Sequence, residues 1–196
     1  LAETEKYAYV TNLFNGMREE PFPNEYRVLI PSRQEAKVYE HPEMRVSDVS
    51  DRVQAAIGEG IYDFILADFA NGGTMAKTGN FDAAVKAVEA IDKEIGEIME
   101  ATLAANGILV ITSDYGNIEV MMDVRTGMMD TRGNISPVPF YVVANGYERQ
   151  KTEEQARSIE KVNTGVLSDV APTILELMRL PKPQEMMGIS ILKMLR

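Results

Sequence analysis

The sequence predicts an α/β fold in which a mainly parallel sheet is flanked by helices, and three observations support this. Segments rich in β-branched and aromatic residues alternate with segments whose apolar residues recur at helical spacing. Two apolar runs, 62–69 and 108–112, are nearly continuous, which is typical of strands covered on both faces. A long helical pattern separates these two runs, as in a strand–helix–strand unit. We therefore expect a single α/β domain over residues 1–196.

The first part of the chain predicts two short strands, a helix and a longer strand. Residues 9–14 and 27–30 are predicted as strands because they are rich in β-branched and aromatic residues. Ser47 can cap a helix that Gly58 would end. The run 62–69 is predicted as a strand buried on both faces.

A long amphipathic helix is the strongest single prediction. Asn80 is its expected N-cap, and Asn106 with Gly107 ends it. Its expected core face consists of Phe81, Ala84, Val85, Val88, Ile91, Ile95 and Ile98. The remaining predicted elements are a strand at 108–112, a strand at 138–143, a surface loop or exposed helix within 147–164, and a helix capped by Ser168.

Composition restricts the classes of function. Lys and Arg number 20 against 30 Asp and Glu, so the net charge is −10, which argues against nucleic acid and anionic membranes as partners. No run of apolar residues is long enough for a membrane span, and no signal peptide is visible, so we expect a cytoplasmic protein. With no cysteine and only one histidine, His41, thiolate sites and sites needing two imidazoles are excluded.

Seven stretches in a fixed order give the chain a family resemblance. They are ETEKYAYVTNLFNG, RVLIPS, YDFILADFANGG, KTGNFDAAVKAVEAID, ITSDYGN, ISPVPF and GVLSDVAPTILEL. Together they resemble the C-terminal part of the cofactor-independent phosphoglycerate mutases, isomerases of glycolysis within the alkaline-phosphatase superfamily. The resemblance implies an alkaline-phosphatase-like domain, here lacking the family's N-terminal strand and its inserted transferase domain. Family members interconvert 2- and 3-phosphoglycerate through a phosphoserine, with two manganese ions.

The positions that the family uses for metal binding are mostly replaced in this chain. By resemblance, they correspond to Gly73, Lys77, Asp114, Tyr115 and Gly133. Only Asp114 is of the family's ligand type, and Tyr9 also stands where the family usually has a histidine. Because one carboxylate cannot hold manganese tightly and a lysine ammonium repels it, we expect no bound metal and no catalytic residue.

The sequence therefore predicts a metal-free, catalytically inactive derivative of the mutase domain, either a pseudoenzyme or, as we favour at this point, an engineered domain. We do not expect phosphoglycerate to bind. Lys6 corresponds to a lysine that contacts phosphate in the family, but without metals we expect it to be a solvated surface residue. We also predict that Lys77 or Arg132 replaces the metal as the positive partner of Asp114 or Asp68, since an unpaired buried charge is costly.

Two alternatives remain open. The chain could be part of a split mutase or phosphatase that a complementary chain completes, with a metal site rebuilt from Asp68, Asp123 and Asp130. It could instead be a protein-interaction module, or associate with itself, through the methionine-lined loop 120–130.

Overall fold

The computed structural model describes residues 1–149, 151–159 and 162–195. Its helices and two small sheets form an α/β fold, as predicted. The strands are β1 (Ala2–Glu3), β2 (Leu29–Ile30), β3 (Ile108–Thr112) and β4 (Phe140–Ala144). The helices are α1 (Val46–Glu59), α2 (Asn71–Thr78), α3 (Phe81–Ala104), α4 (Glu153–Ile159) and α5 (Val170–Leu177). None of the described helices combines the length and apolar character that a membrane span requires.

The parallel part of the fold is built around β1. On one side β1 pairs in parallel with β2, and on the other side Ala2 forms a parallel bridge with Asp68. The Leu1 amino group donates to the Leu66 carbonyl at 2.9 Å, and the Asp68 N–H donates to the Leu1 carbonyl at 3.1 Å. The predicted strand at 62–69 is thus an extended segment beside β1 with a single bridge. It is only partly buried.

The longest strand pairing is antiparallel. In β3 and β4, Ile108 lies opposite Ala144 and Thr112 lies opposite Phe140. One of the two sheets is therefore antiparallel, whereas the sequence predicts a mainly parallel sheet. An apolar run identifies a strand but does not specify the direction of its partner. β3 is also half-exposed rather than covered on both faces.

The prediction of a first strand at 9–14 is wrong, because Tyr9–Leu13 form a π-helical turn. The Phe14 N–H donates to the Tyr9 carbonyl at 3.1 Å, and the Thr11 hydroxyl donates to the Tyr7 carbonyl at 2.7 Å. Local hydrogen bonds thus satisfy a backbone whose composition favours strands. Short π-helical turns are frequent at functional sites.

Helices α1 and α3 cover the parallel strands and supply much of the core. One buried cluster contains Ile30, Val49, Val53 and Ile98. A second contains Met44, Ala70, Met75, Ala83, Ala84, Ala87 and Met121, and lies around α2 and the start of α3. Segment 62–69 packs on the first cluster through Ile65, Ala67 and Phe69, and β3 packs on it through Leu109.

Candidate functional site

Two acids mark the ends of neighbouring chain segments. Asp68 lies at the end of the extended segment beside β1, and Asp114 follows β3. The Nζ atom of Lys6 is 3.9 Å from Oδ2 of Asp68 and 3.5 Å from Oδ2 of Asp114. The Lys6 side chain is only 12% exposed, whereas that of Asp114 is 48% exposed. A side-chain cation therefore lies between both acids.

Two tyrosines complete the surroundings of the Lys6 ammonium. Its Nζ atom is 4.5 Å from the ring centre of Tyr9 and 5.7 Å from that of Tyr115. Both distances lie within the range of cation–π attraction. Tyr9 belongs to the π-helical turn and Tyr115 follows Asp114, so different parts of the chain bring the two rings together.

The charges of this cluster shift its pKa values in physically consistent directions. Burial opposes the charged form of Lys6, but attraction to Asp68 and Asp114 outweighs it, so the pKa of Lys6 is raised. Burial also raises the pKa of Asp68; Lys6 acts against this shift, while repulsion by Asp114 adds to it. The ammonium is thus the stable form of Lys6, and its attraction offsets part of the effect of burial on Asp68.

The loop after β3 packs against the segment that contains Gly133. A Cβ atom at position 133 would lie 3.0 Å from Cδ2 of Tyr115, so the tyrosine ring covers this glycine. The Asn117 amide donates to the Arg132 carbonyl at 3.1 Å, and the Asn134 N–H donates to the Gly116 carbonyl at 2.6 Å. These bonds hold the two loops in register.

The position of the family's aspartate ligand lies at the same place. A Cβ atom at Gly73, in α2, would lie 4.0 Å from Oδ1 of Asn117. That oxygen is buried and has no hydrogen-bond partner. The structure therefore brings Gly73, Asp114, Tyr115 and Gly133 together around the loop that follows β3.

Lys77 and Arg132 do not neutralise the acids, so that prediction is wrong. Lys77 is exposed in the last turn of α2 and has no acid within 4 Å among the described residues. Arg132 instead binds Asp130 through two contacts of 2.8 and 2.9 Å. The cation nearest to both acids is Lys6. The chain turns directly after β1 and so brings the Lys6 side chain to the edge where Asp68 and Asp114 lie.

The expectation of a solvated Lys6 is therefore also wrong. The predicted elements gave no signal for this contact, because the first predicted strand, 9–14, begins after Lys6, whereas β1 ends shortly before it. His41, by contrast, is exposed and lies 3.4 Å from Glu43, away from this cluster.

The donor set does not fit the manganese pair that the resemblance implies. Gly73 and Gly133 offer no side-chain donor, and the ring of Tyr115 covers position 133. Within 1–149, 151–159 and 162–195, no three acidic, histidine or cysteine side chains are grouped so that they could hold a metal. A positive side chain, Lys6, already lies between Asp68 and Asp114, where it would repel a cation.

The acids of the split-enzyme alternative do not assemble with Asp68. Asp123 accepts hydrogen bonds from the N–H groups of Arg125 and Thr126 at 2.8 and 3.2 Å. Asp130 is bound to Arg132, and that contact lowers the pKa of Asp130 to about 2. Both acids therefore serve local loop structure.

Comparison with known proteins gives the family of the chain. A family model described as the Metalloenzyme superfamily matches residues 1–182. The 2,3-bisphosphoglycerate-independent phosphoglycerate mutase of Pseudomonas fluorescens Pf-5 is 46% identical over 192 residues, covering 98% of this chain and 35% of the relative. That of Clostridioides difficile 630 is 44% identical and matches 97% of this chain and 36% of the relative.

The fold has a counterpart among solved structures. A phosphoglycerate mutase of Leishmania mexicana, solved at low cobalt concentration, superposes with a TM-score of 0.78 at 24% identity. The match covers 96% of this chain and 36% of that one. The chain thus spans 35–36% of the length of these mutases, and the resemblance to them is confirmed. With its family match extending over most of its length, this chain belongs to the Metalloenzyme superfamily.

Proposed function

We propose that this chain is a metal-free, catalytically silent form of the phosphoglycerate mutase domain. The observation that carries the proposal is the packing of Tyr115 on Gly133. A tyrosine ring covers a position where the family has a histidine ligand, so this part of the site is filled by carbon rather than left open to a metal. The joint replacement at Gly73, Lys77 and Gly133 supports the same proposal, in either a pseudoenzyme or an engineered domain.

Phosphoryl transfer depends on groups that act as a unit. Two metal ions neutralise the entering and leaving oxygens, and a nucleophile accepts the phosphoryl group. Removal of several members of such a unit leaves little more than background reaction. Since Asp114 is the one ligand-type residue that remains at the five positions, we expect neither mutase nor phosphatase activity.

The proposal is tested by metal analysis and activity together. The purified chain is incubated with manganese, desalted and analysed for bound metal, and it is assayed with 3-phosphoglycerate and with an aryl phosphate. A related active mutase, treated in the same way, is the positive control. We expect far less than one manganese per chain and turnover at the level of buffer. Manganese-dependent turnover that follows the chain through purification would overturn the proposal.

A second candidate function, protein interaction, is favoured by the hairpin at residues 121–130. Its two arms are joined by the Asp130 N–H donating to the Met121 carbonyl and the Asp123 N–H donating to the Met128 carbonyl, both at 2.9 Å. Met121 is buried, whereas Met128 and Val124 are 70% and 97% exposed. Flexible methionine side chains suit adaptable binding surfaces. If the chain associates with itself through this hairpin, its size in solution should exceed that of a monomer. Met128→Gln should then shift the measured size towards the monomer.

A further inference from the structure

We propose that the side chain of Lys6 occupies a built-in site for a primary ammonium ion, formed by Asp68, Asp114 and the ring faces of Tyr9 and Tyr115. Shortening Lys6 would then leave a site that binds small alkylammonium ions from solution. This inference goes beyond the proposed function, because it concerns what the site accepts rather than what it has lost.

Three of the four walls of the site, Asp68, Tyr9 and Tyr115, are held by contacts that do not involve the Lys6 side chain. The backbone of Asp68 is bound to Leu1, and Tyr9 is fixed by the π-helical turn through the bond from Phe14. The ring of Tyr115 packs against Gly133. The site should therefore persist when the lysine side chain is truncated.

The chain beside the site is anchored in the same way. The Lys6 N–H donates to the Glu3 carbonyl at 3.0 Å, and the Thr74 hydroxyl of α2 donates to Oε2 of Glu5 at 2.7 Å. These bonds use the backbone of residue 6 and the side chain of its neighbour. A substitution at position 6 leaves both in place.

The chemistry of the walls favours an organic ammonium ion over a divalent metal. Two carboxylates supply negative charge at 3.5 and 3.9 Å from Nζ, and the tyrosine faces attract a cation without donating lone pairs to it. A metal such as manganese needs several more oxygen or nitrogen ligands. An ammonium group with an alkyl stem instead matches a site with two acids and two rings, which the 12% exposure of Lys6 shows to be largely enclosed.

The direct test is chemical rescue of Lys6→Ala. The substitution removes three carbons and the ammonium group, which n-propylammonium would replace. We expect a lower melting temperature for the variant, and a saturable rise of about 2–4 °C when the amine is present at roughly five times its dissociation constant. The wild type and Lys77→Ala, which removes an exposed lysine, should show no such rise. Sodium chloride at equal ionic strength and n-propanol are the solution controls.

An equal effect of n-propylammonium on all three proteins, or no effect on Lys6→Ala, would overturn the proposal. If Lys6→Ala does not fold, the wild type provides a second readout by NMR. Protons on Cε of Lys6 should be shifted upfield by the ring of Tyr9, and Tyr9→Leu should remove most of that shift. Unshifted Cε protons in the wild type would contradict the site.

These outcomes are distinct from those of the activity and metal assays. Manganese binding by the wild type would contradict the proposed metal-free function, whatever the response of Lys6→Ala to the amine. Conversely, an inactive and metal-free chain whose Lys6→Ala variant ignores amines would retain the proposed function and exclude the ammonium site.

Discussion

Tyr115 and Gly133 form a matched pair at the scale of single residues. The ring lies where a side chain at position 133 would begin, with 3.0 Å between Cδ2 and the position of a Cβ atom. A histidine at 133 would therefore need the ring of Tyr115 to move. Restoring one family ligand alone should strain the loop before it could attract a metal, so the two replacements are coupled physically.

This coupling gives a prediction for a double-mutant cycle. Gly133→Ala should lower the free energy of unfolding by about 1–3 kcal/mol, because the added methyl group overpacks against Tyr115. In a Tyr115→Ala background the same change should cost roughly 0.5 kcal/mol or less. Urea unfolding of the four proteins measures both values. An equal cost of Gly133→Ala in the two backgrounds would show that the ring is not the obstacle.

At the scale of elements, α3 begins where the sequence predicts. Oδ1 of Asn80 accepts a hydrogen bond from the N–H of Ala83 at 3.0 Å and so satisfies one of the free donors at the helix start. Thr78 supports the cap, since its hydroxyl accepts from the Asn80 N–H at 3.1 Å. The cap joins α2 to α3 at the edge of the core cluster that contains Ala83.

Loss of this cap should destabilise the protein measurably. We expect Asn80→Ala to reduce the free energy of unfolding by about 1 kcal/mol, because the Ala83 N–H loses its acceptor. Asn80→Asp keeps an acceptor at the same place and is the matched control, with a much smaller effect. Thermal and urea unfolding provide the measurement, and an aspartate variant as unstable as the alanine variant would contradict the capping role.

The elements also show which parts of the fold a sequence can predict. The start of α3 was predictable because a local cap sets it. The predicted caps Ser47 and Ser168 are wrong, since α1 begins at Val46 after Arg45 and α5 begins at Val170 after Asp169. α1 runs only slightly past Gly58 to a left-handed Gly60 with φ of 66°. The buried face of α3 was less predictable than its start. Phe81 and Val85 are 64% and 42% exposed, while Ala87 is buried, because close approach to α1 and α2 selects small residues.

At the scale of the whole molecule, the family and the location of the site were predictable, whereas the electrostatic arrangement was not. The ordered motifs predict that Gly73, Lys77, Asp114 and Gly133 converge at one edge of the sheet. Gly73 and Gly133 do lie against the loop that follows β3, whereas Lys77 is exposed in the last turn of α2. The cation beside Asp114 came from Lys6, 108 residues earlier in the chain. Side-chain reach across such a separation depends on tertiary packing, which no local pattern encodes.

The C-terminal segment is tied to the domain by a buried carboxylate. Asp169 accepts hydrogen bonds from the N–H groups of Val166 and Ile189 at 3.0 and 2.9 Å. Its carbonyl accepts from the hydroxyl of Thr173, which in turn accepts from the N–H of Ile191. One residue thus connects the start of α5 to the chain around 189–191.

This carboxylate gives the whole molecule a pH dependence whose sign is fixed. The two N–H donors stabilise the charged form, so the pKa of Asp169 is lowered in the folded state. A lowered pKa contributes stability that is present above the unfolded value of about 4 and is lost as the pH falls through the folded value. Asp169→Asn should therefore lower the melting temperature strongly at pH 7 and much less near pH 3. Asp92→Asn, at an exposed acid of α3, is the matched control. Its difference in melting temperature from the wild type should not shrink in this way between pH 7 and pH 3. If the difference between Asp169→Asn and the wild type were the same at both pH values, the carboxylate charge would not be what holds the C-terminal segment in place.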